Sequence, residues 1–331
     1  MTTLPTRTRV IDDTFVEVWE DIRAEAIDNI LTATPVTALL MEAGCMVKQV
    51  GGHTITRTIK YGKGSATAIS KGDTLPQGEP QLETMGIWTF RNVATHVQAD
   101  LLDDTANAGP HKIKDYVKKR LSDATQAMKE DYEAALFATE VALETGKEIQ
   151  GLNDILPITQ TNGVAAATGT NTYGKIDRNN SWWQPKYKAV TANPEVNLLS
   201  DMKNFFNTIS AHRSDAAPTH IVMNQTHFEI YEEFALDASQ IIKDESTYLA
   251  DLGFEVLRFK KRPVVWSANM TASQNMFLNT RFIEWVYDPN LWFHMTEFKP
   301  IPLQTTRIAH IISRCNILCT QLRNQGRYGY T

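Results

Sequence analysis

The chain has 331 residues, 42% of them apolar and 21% charged, with 17 glycines and 13 prolines, a globular composition that excludes a collagenous, coiled-coil or disordered polypeptide. Its 33 Lys and Arg against 38 Asp and Glu leave a formal charge of -5, which argues against a protein whose main work is gripping a nucleic-acid backbone, since that needs a concentrated cationic face. The length suits about two domains or one large α+β body, large enough to need no disulfide or metal staple; no apolar run is long enough to span a bilayer, and the start, MTTLPTRTRVIDD, lacks the apolar stretch of a secretory signal.

Residues 14–31 place Phe15, Val18, Trp19, Ile22, Ala26 and Ile30 at helical spacing, behind cap chemistry at Asp12 to Thr14, and Pro35 ends the pattern. With the short apolar turn Val36 to Met41 before Gly44, the spacing predicts an amphipathic arm that has little core of its own and must lie on something else. The period then changes to two. GGHTITRTIKYGKGSATAIS at 51–70 alternates, KGDTLPQGEPQLE is turn-rich, and Thr84 to Asp100 alternates again through Ile87, Trp88, Phe90, Val93 and Val97. This predicts an extended hairpin, too sparsely apolar to be stable alone in water. It is expected to lie on a neighbouring subunit, so that a chain lacking 55–88 would fold but not assemble.

Pro110 suits the start of a helix and Gly146 its end. Between them Ile113, Val117, Leu121, Ala124, Met128, Tyr132, Ala135, Thr139 and Leu143 form one stripe, predicting a helix over 111–145 that would be roughly 50 Å long. The stretch from Gly151 to Tyr187 is rich in Gly, Asn and Thr and reads as loop closing on Trp182–Trp183. Helix and strand then alternate: a helix from Val196 to Ser210, a strand from Thr219 to Met223, a helix from Thr226 to Ala235 capped by Thr226, and two strands in Phe254–Trp266 around the KKRP turn. A strand at Met276 to Leu278 and a closing strand system from Asp288 to Leu322 follow, with no internal repeat or low-complexity tract.

Residues 169–175, GTNTYGK, match the first seven positions of a phosphate-binding loop, but Ile176 stands where the magnesium-holding Ser or Thr belongs and turn chemistry follows where a helix should open. His220 and His227 flank a strand–helix junction without HExxH spacing, and no GxSxG elbow is present. The pairs Asp12–Asp13 and Asp103–Asp104 sit beside helix starts, where negative charge is favoured without catalysis. Cys315 and Cys319 on a strand would lie about 13 Å apart on one face; with Cys45 they read as small buried hydrophobes. Trp182 and Trp183, beside Pro185 and Tyr187, read as a hydrophobic clasp rather than a stacking platform. No catalytic, cofactor-binding or metal residue, and no cofactor, is assigned.

GLNDILP at 151–157 and TYGKIDRNNSWWQP at 172–185 are similar to the signature of one large group of phage major capsid proteins, carried here by Gly151, Leu152, Tyr173, Gly174, Ile176, Asp177, Arg178, Trp182 and Trp183. PTHIVMNQTHFEIYEEF at 218–234 and FKKRPVVWS at 259–267 are also similar, and the order of arm, hairpin, long helix, loop, α/β segment and closing strands resembles the Hong Kong 97-type fold of tailed-bacteriophage major capsid proteins. The resemblance implies an α+β chain with an N-terminal arm at 1–50, an extended loop at 51–92, a peripheral domain at 93–194 and 291–331 containing a spine helix at 111–145, and an axial domain at 195–290. It implies a protein of the virion, assembled in the host cytoplasm from pentamers and hexamers into an icosahedral shell around double-stranded DNA. Its partners would be other copies of itself, a separate scaffolding protein, a portal, decoration proteins and non-specifically held DNA, with no membrane. Gly51, Gly52, Gly62, Gly64, Gly72 and Gly78 would give the loop hinge freedom. Some members cross-link a loop lysine to a neighbour's asparagine; Lys60, Lys63 and Lys71 lie in that loop but read as edge protection. The alternatives are an encapsulin-type shell of a bacterial nanocompartment and, in a different class, a nucleotide hydrolase using 169–175.

Overall fold

Alternation and helical periodicity turn into two six-stranded sheets, three two-stranded hairpins and five α-helices among the residues that the computed structural model describes, 35–62, 68–72, 81–100, 110–138, 147–157, 160–161, 164–165, 172–190, 193–211, 214–237, 257–302 and 304–330. The helix expected at 14–31, with Gly64, Gly78 and Gly146, lies outside the described residues.

In chain order the elements are α1 (Pro35–Glu42), β1 (Met46–Lys48), β2 (Thr54–Lys60), β3 (Glu83–Thr89), β4 (Arg91–Asp100), α2 (Pro110–Leu136), α3 (Leu152–Ile155), β5 (Gln160–Thr161), β6 (Val164–Ala165), β7 (Thr172–Tyr173), β8 (Ile176–Asp177) and β9 (Lys186–Val190). Then come α4 (Pro194–Ser210), β10 (His220–Met223), α5 (Gln225–Asp237), β11 (Leu257–Phe259), β12 (Arg262–Trp266), β13 (Gln274–Leu278), β14 (Ile283–Tyr287), β15 (His294–Met295), β16 (Lys299–Pro300), β17 (Thr306–Cys319) and β18 (Gly326–Tyr330).

The first sheet is built on β17, the longest strand. Along one edge it pairs antiparallel with β4, from Thr306↔Asp100 to Cys315↔Arg91; along the other it takes β16, β15 and then β14, and β1 adds parallel to β14. The second sheet runs β11-β12-β10-β13-β18-β9, mixing parallel and antiparallel pairs. The two sheets cut across the expected limits of 93–194, 195–290 and 291–331. Strands 186–190 and 326–330 belong to the second sheet and 283–287 to the first, because the chain re-enters the second sheet only after the turn at Leu322–Asn324.

Helix α2 lies against β4 and buries Leu121, Met128, Tyr132 and Leu136. It has 27 residues and so is about 40 Å long, shorter than the expected 111–145. The chain turns at Phe137, whose N–H bonds Ala134 O at 3.1 Å and whose carbonyl accepts from Asn153 Nδ2. Around Tyr132 gather Trp285, Trp292 and Phe293, with ring centroids 5.8, 6.1 and 6.0 Å away, an aromatic clasp of the helix on the sheet. A second core, including Leu198, Met202, Phe205, Ile221, Phe277 and Tyr328, joins α4 and α5 to the second sheet.

Local sequence explains the helix starts. Asn193 accepts from Glu195 N at 3.1 Å with Pro194 in the first turn of α4. At α5 the cap is Asn224, accepting from His227 N at 3.0 Å, rather than Thr226; the strand runs directly into the cap, two residues earlier than expected. The KKRP turn is tight, with Lys260 and Lys261 both left-handed at φ 48° and 66°.

Candidate functional site

The signature residues converge on one knot where the hairpin, the end of α2 and both sheets meet. β7 and β8 pair as a two-residue hairpin, Tyr173↔Ile176, across Gly174 (φ 59°) and Lys175 (φ 61°). Two successive left-handed residues are what a type I′ turn requires. Gly174 also meets a close neighbour: a Cβ there would lie 2.5 Å from the Trp88 ring. The contact is completed by Ile87 N donating to Gly174 O at 2.9 Å, which ties β3 to the signature turn.

Tyr173 is buried between Trp88, edge-on with ring centroids 5.7 Å apart, and Trp183, 6.1 Å away. Its hydroxyl accepts from Cys319 N at 2.9 Å, and its carbonyl accepts from Trp183 Nε1 at 3.0 Å. Burial pushes the Tyr173 hydroxyl well above the ordinary tyrosine range, so it stays protonated. Arg178 is fully buried, with its guanidinium over the Tyr173 ring at 5.2 Å; Nη2 donates to Asp154 O and stands 3.8 Å from Asp154 Oδ1. Asp177, exposed, accepts from Asn179 N at 2.8 Å and shapes the turn into Trp182. Trp182 stacks on Tyr61 of the hairpin, 4.6 Å between centroids and 19° between planes.

The stretch from Gly151 was expected to be loop. Residues 151–157 are instead buried throughout. Gly151 allows a close approach to the end of α2: a Cβ there would sit 2.3 Å from Ala135 O. Arg327 of β18, also fully buried, donates from Nη1 to Asn153 Oδ1 and Leu156 O, both at 2.7 Å, and from Nε to Gln274 Oε1 at 3.1 Å. Burial lowers its pKa to about 10, still far above neutrality, so it remains a cation. Two buried arginines thus hold α3, Arg178 from the signature turn and Arg327 from β18 of the second sheet. Sequence reading identified Arg178 but missed Arg327 and Asp154, which carry no local motif.

The hairpin departs from its expected character. Its inner face, Ile55, Ile59 and Trp88, is buried in the first core, and Arg57 Nε pairs with Glu284 Oε2 at 2.7 Å. Of the hinge glycines, Gly51, Gly52 and Gly72 are left-handed at φ 68°, 84° and 99°. Gly62 is a close-approach glycine, 3.2 Å from Gln81 O if given a Cβ, rather than a hinge. Arg314 holds the start of the loop, donating from Nη2 to Gly52 O while its guanidinium covers Phe90 at 4.6 Å.

A third residue missed by sequence reading is Glu133. It is buried on α2 and accepts from Thr37 N at 3.1 Å, Thr37 Oγ1 at 2.6 Å and Ser267 Oγ at 3.1 Å. It thereby caps the first turn of α1 and joins α1, α2 and the end of β12. Nothing in the sequence separates it from the surface acids on the same helix.

The phosphate-loop reading of 169–175 conflicts with this geometry. Lys175 is a turn residue and Ile176 enters a strand, so no helix N-terminus faces a phosphate there. Burial lifts the thiols of Cys45, Cys315 and Cys319 to about 12. His220, pushed down to about 4 by burial and by Arg262, stays neutral. Lys60 and Lys71 are exposed, while Lys63, Asp12, Asp13, Asp103 and Asp104 lie outside the described residues.

No family model matches the sequence, and no curated relative matches it either. Solved structures do match. The capsid asymmetric unit of cyanophage A-1(L) superposes with a TM-score of 0.64 at 13% identity, covering 88% of this chain and 91% of that one. The capsid of a native GTA particle gives 0.56 at 14% identity, covering 88% and 89%. The SrpI encapsulin of Synechococcus elongatus gives 0.51 at 10% identity, covering 86% and 84%. The likeness is one of architecture over nearly the whole chain: an α+β protein with the Hong Kong 97-type fold of tailed-phage capsid proteins.

Proposed function

We propose that this chain is the major capsid protein of a tailed bacteriophage, a structural protein without catalytic activity that assembles through pentamers and hexamers into an icosahedral head around double-stranded DNA. The observation that carries the reading is the fold likeness to the cyanophage capsid subunit across 88% of the chain. The signature knot supports it physically. A shell subunit must be stiff at its centre and adaptable at its margins, and here two buried arginines hold 154–156, the segment whose Asn153 bonds the Phe137 carbonyl just past the end of α2. In the proposed head, scaffolding protein, portal, decoration proteins and packaged DNA are the partners, and the DNA contact is non-specific and weak, as a net charge of -5 permits.

An encapsulin-type compartment is the second reading, favoured by the likeness to the SrpI encapsulin. Neighbouring genes for a portal and terminase support the phage head; a neighbouring cargo enzyme supports the compartment. The test of the shared reading is negative-stain microscopy of the purified chain with sedimentation alongside. Closed particles tens of nanometres wide are expected, and a compact monomer at high concentration overturns it.

A further inference from the structure

Residues in register on neighbouring strands share a face of the sheet, and so do residues two apart on one strand. His96 of β4 stands directly opposite His310 of β17. The face they share points away from the core: both histidines are exposed, while Val97, Ala309 and Ile311 beside them are buried.

The kind of pairing decides how close the two rings come. An antiparallel ladder alternates hydrogen-bonded pairs with non-hydrogen-bonded ones, and in the second kind the Cα atoms are only about 4.5 Å apart. The backbone of His310 is committed to its other neighbour. Its carbonyl accepts from Thr296 N at 2.8 Å, and its N–H donates to Thr296 Oγ1 at 2.9 Å. Those bonds point away from β4, which makes His96↔His310 a non-hydrogen-bonded pair. The two imidazoles therefore rise side by side from Cβ atoms about 4.5–5.5 Å apart. From that span each ring can place a nitrogen on one ion at the usual bond of about 2.0–2.1 Å.

The surroundings suit a cation held by imidazole. Ala94 and Gln98 flank His96 along β4, and Ile308 and Ile312 flank His310 along β17, all uncharged. Arg314, further along the same face, is turned to Asp288 Oδ2 at 3.5 Å and to Gly52 O. Lys299, in register with Ile308, lies across β17 from His96. The three thiols, which would compete for a soft ion, are buried. His294, in register with Ile312, is on the same face one diagonal from His310, at about 7–8 Å. Among the described residues no three His, Cys, Asp or Glu side chains are grouped to hold one ion, so the site has two protein ligands.

We propose that His96 and His310 bind a divalent transition ion of the kind imidazole favours, zinc, nickel or copper, with solvent completing the coordination shell. The ion staples β4 to β17, the one strand with which β4 pairs among the described residues. A ligand that binds the folded ladder and not the unfolded chain stabilises the fold. The site follows from the strand register and stands or falls apart from the shell reading.

Calorimetric titration of nickel chloride into the untagged full chain is the test, with His96→Gln, His310→Gln and His294→Gln alongside. All three variants replace exposed rings, so their metal-free unfolding midpoints should match the parent's. Two rings on one ion make the second bond intramolecular, so losing either ring of the pair should weaken binding by at least about tenfold. His294→Gln should bind as the parent does. Nickel should also raise the unfolding midpoint of the parent and of His294→Gln, and leave those of the two pair variants where they were. Acylation of histidine rings by diethyl pyrocarbonate, read by peptide mass on the unsubstituted chain, provides the second measurement: nickel should protect His96 and His310 together and leave His294 reactive. Parental affinity in His96→Gln or His310→Gln, protection of only one ring or of neither, or no nickel uptake by the parent at millimolar ion overturns the site. An equal loss of affinity in His294→Gln overturns the two-ring assignment.

Discussion

Glu133 shows how one carboxylate can join three elements. Burial raises its pKa, while the donors Thr37 and Ser267 pull the other way without cancelling the shift. A carboxyl whose pKa is higher in the folded than in the unfolded state contributes stability that is complete below the ordinary glutamate range and is lost as pH rises through the folded value. Glu133→Gln should therefore flatten the fall in stability between that range and neutrality, read as the urea unfolding free energy of both proteins across the window. Glu133→Ala strands two buried hydroxyls and an amide, and should cost about 2–4 kcal/mol. His220 supplies the opposite slope. Its pKa is depressed to about 4, so its contribution is present above the ordinary histidine range and is lost as pH falls toward 4. The difference between the parent and Glu133→Gln isolates the glutamate's part from the histidine's. Residues like Glu133 were not legible, because a helix stripe reports which face is covered, not which acid on its margin meets a donor from a distant segment.

At the scale of elements, the signature turn tests whether a glycine serves its backbone or its neighbour. Gly174 needs both: its φ is 59° and a Cβ would lie 2.5 Å from Trp88. Gly44, after α1, is left-handed at 72° with nothing within 4 Å of a Cβ, its N–H bonding Met41 O at 3.0 Å as a helix terminator. Gly44→Ala should cost about 1 kcal/mol, the left-handed strain alone. Gly174→Ala adds overpacking against the indole and should cost about 2–4 kcal/mol, with a shift in tryptophan emission during denaturation as the check. The hairpin strands, α2, α4 and α5 were legible from the sequence because periods of two and 3.6 are local properties, whereas the short α3 and β5 to β9, in a stretch read as loop, are too brief to show a period. The end of α2 was not, because the bond from Asn153 to the Phe137 carbonyl comes from a later element. Nor was the sheet that strand 326–330 joins, since GRYGY carries no mark of its partners.

At the scale of the molecule, the hairpin is part of its own subunit's core. Its inner face puts Ile55, Ile59 and Trp88 into the main core at 0%, 5% and 2% exposure. Each such side chain is worth about 1.5–3 kcal/mol of burial, against a total stability of about 5–15 kcal/mol for an ordinary domain. Removing 55–88 would take away all three, together with the Arg57–Glu284 pair and the indole that covers Gly174. The hairpin is thus not dispensable for folding, contrary to what its sparse apolar content implied. That deletion should give aggregated or loosely packed protein, seen as dye binding and loss of a cooperative melt. A narrower change keeps the core: replacing 62–81 by Asn-Gly, a turn suited to a two-residue hairpin, retains Lys60↔Glu83 and the bond from Tyr61 N to Leu82 O at 2.9 Å. This variant should melt as cooperatively as the parent. If the 55–88 deletion proves equally stable, the inner face contributes nothing to the fold and the hairpin belongs wholly to the neighbour. If it alone collapses, the two strands complete the core of their own subunit.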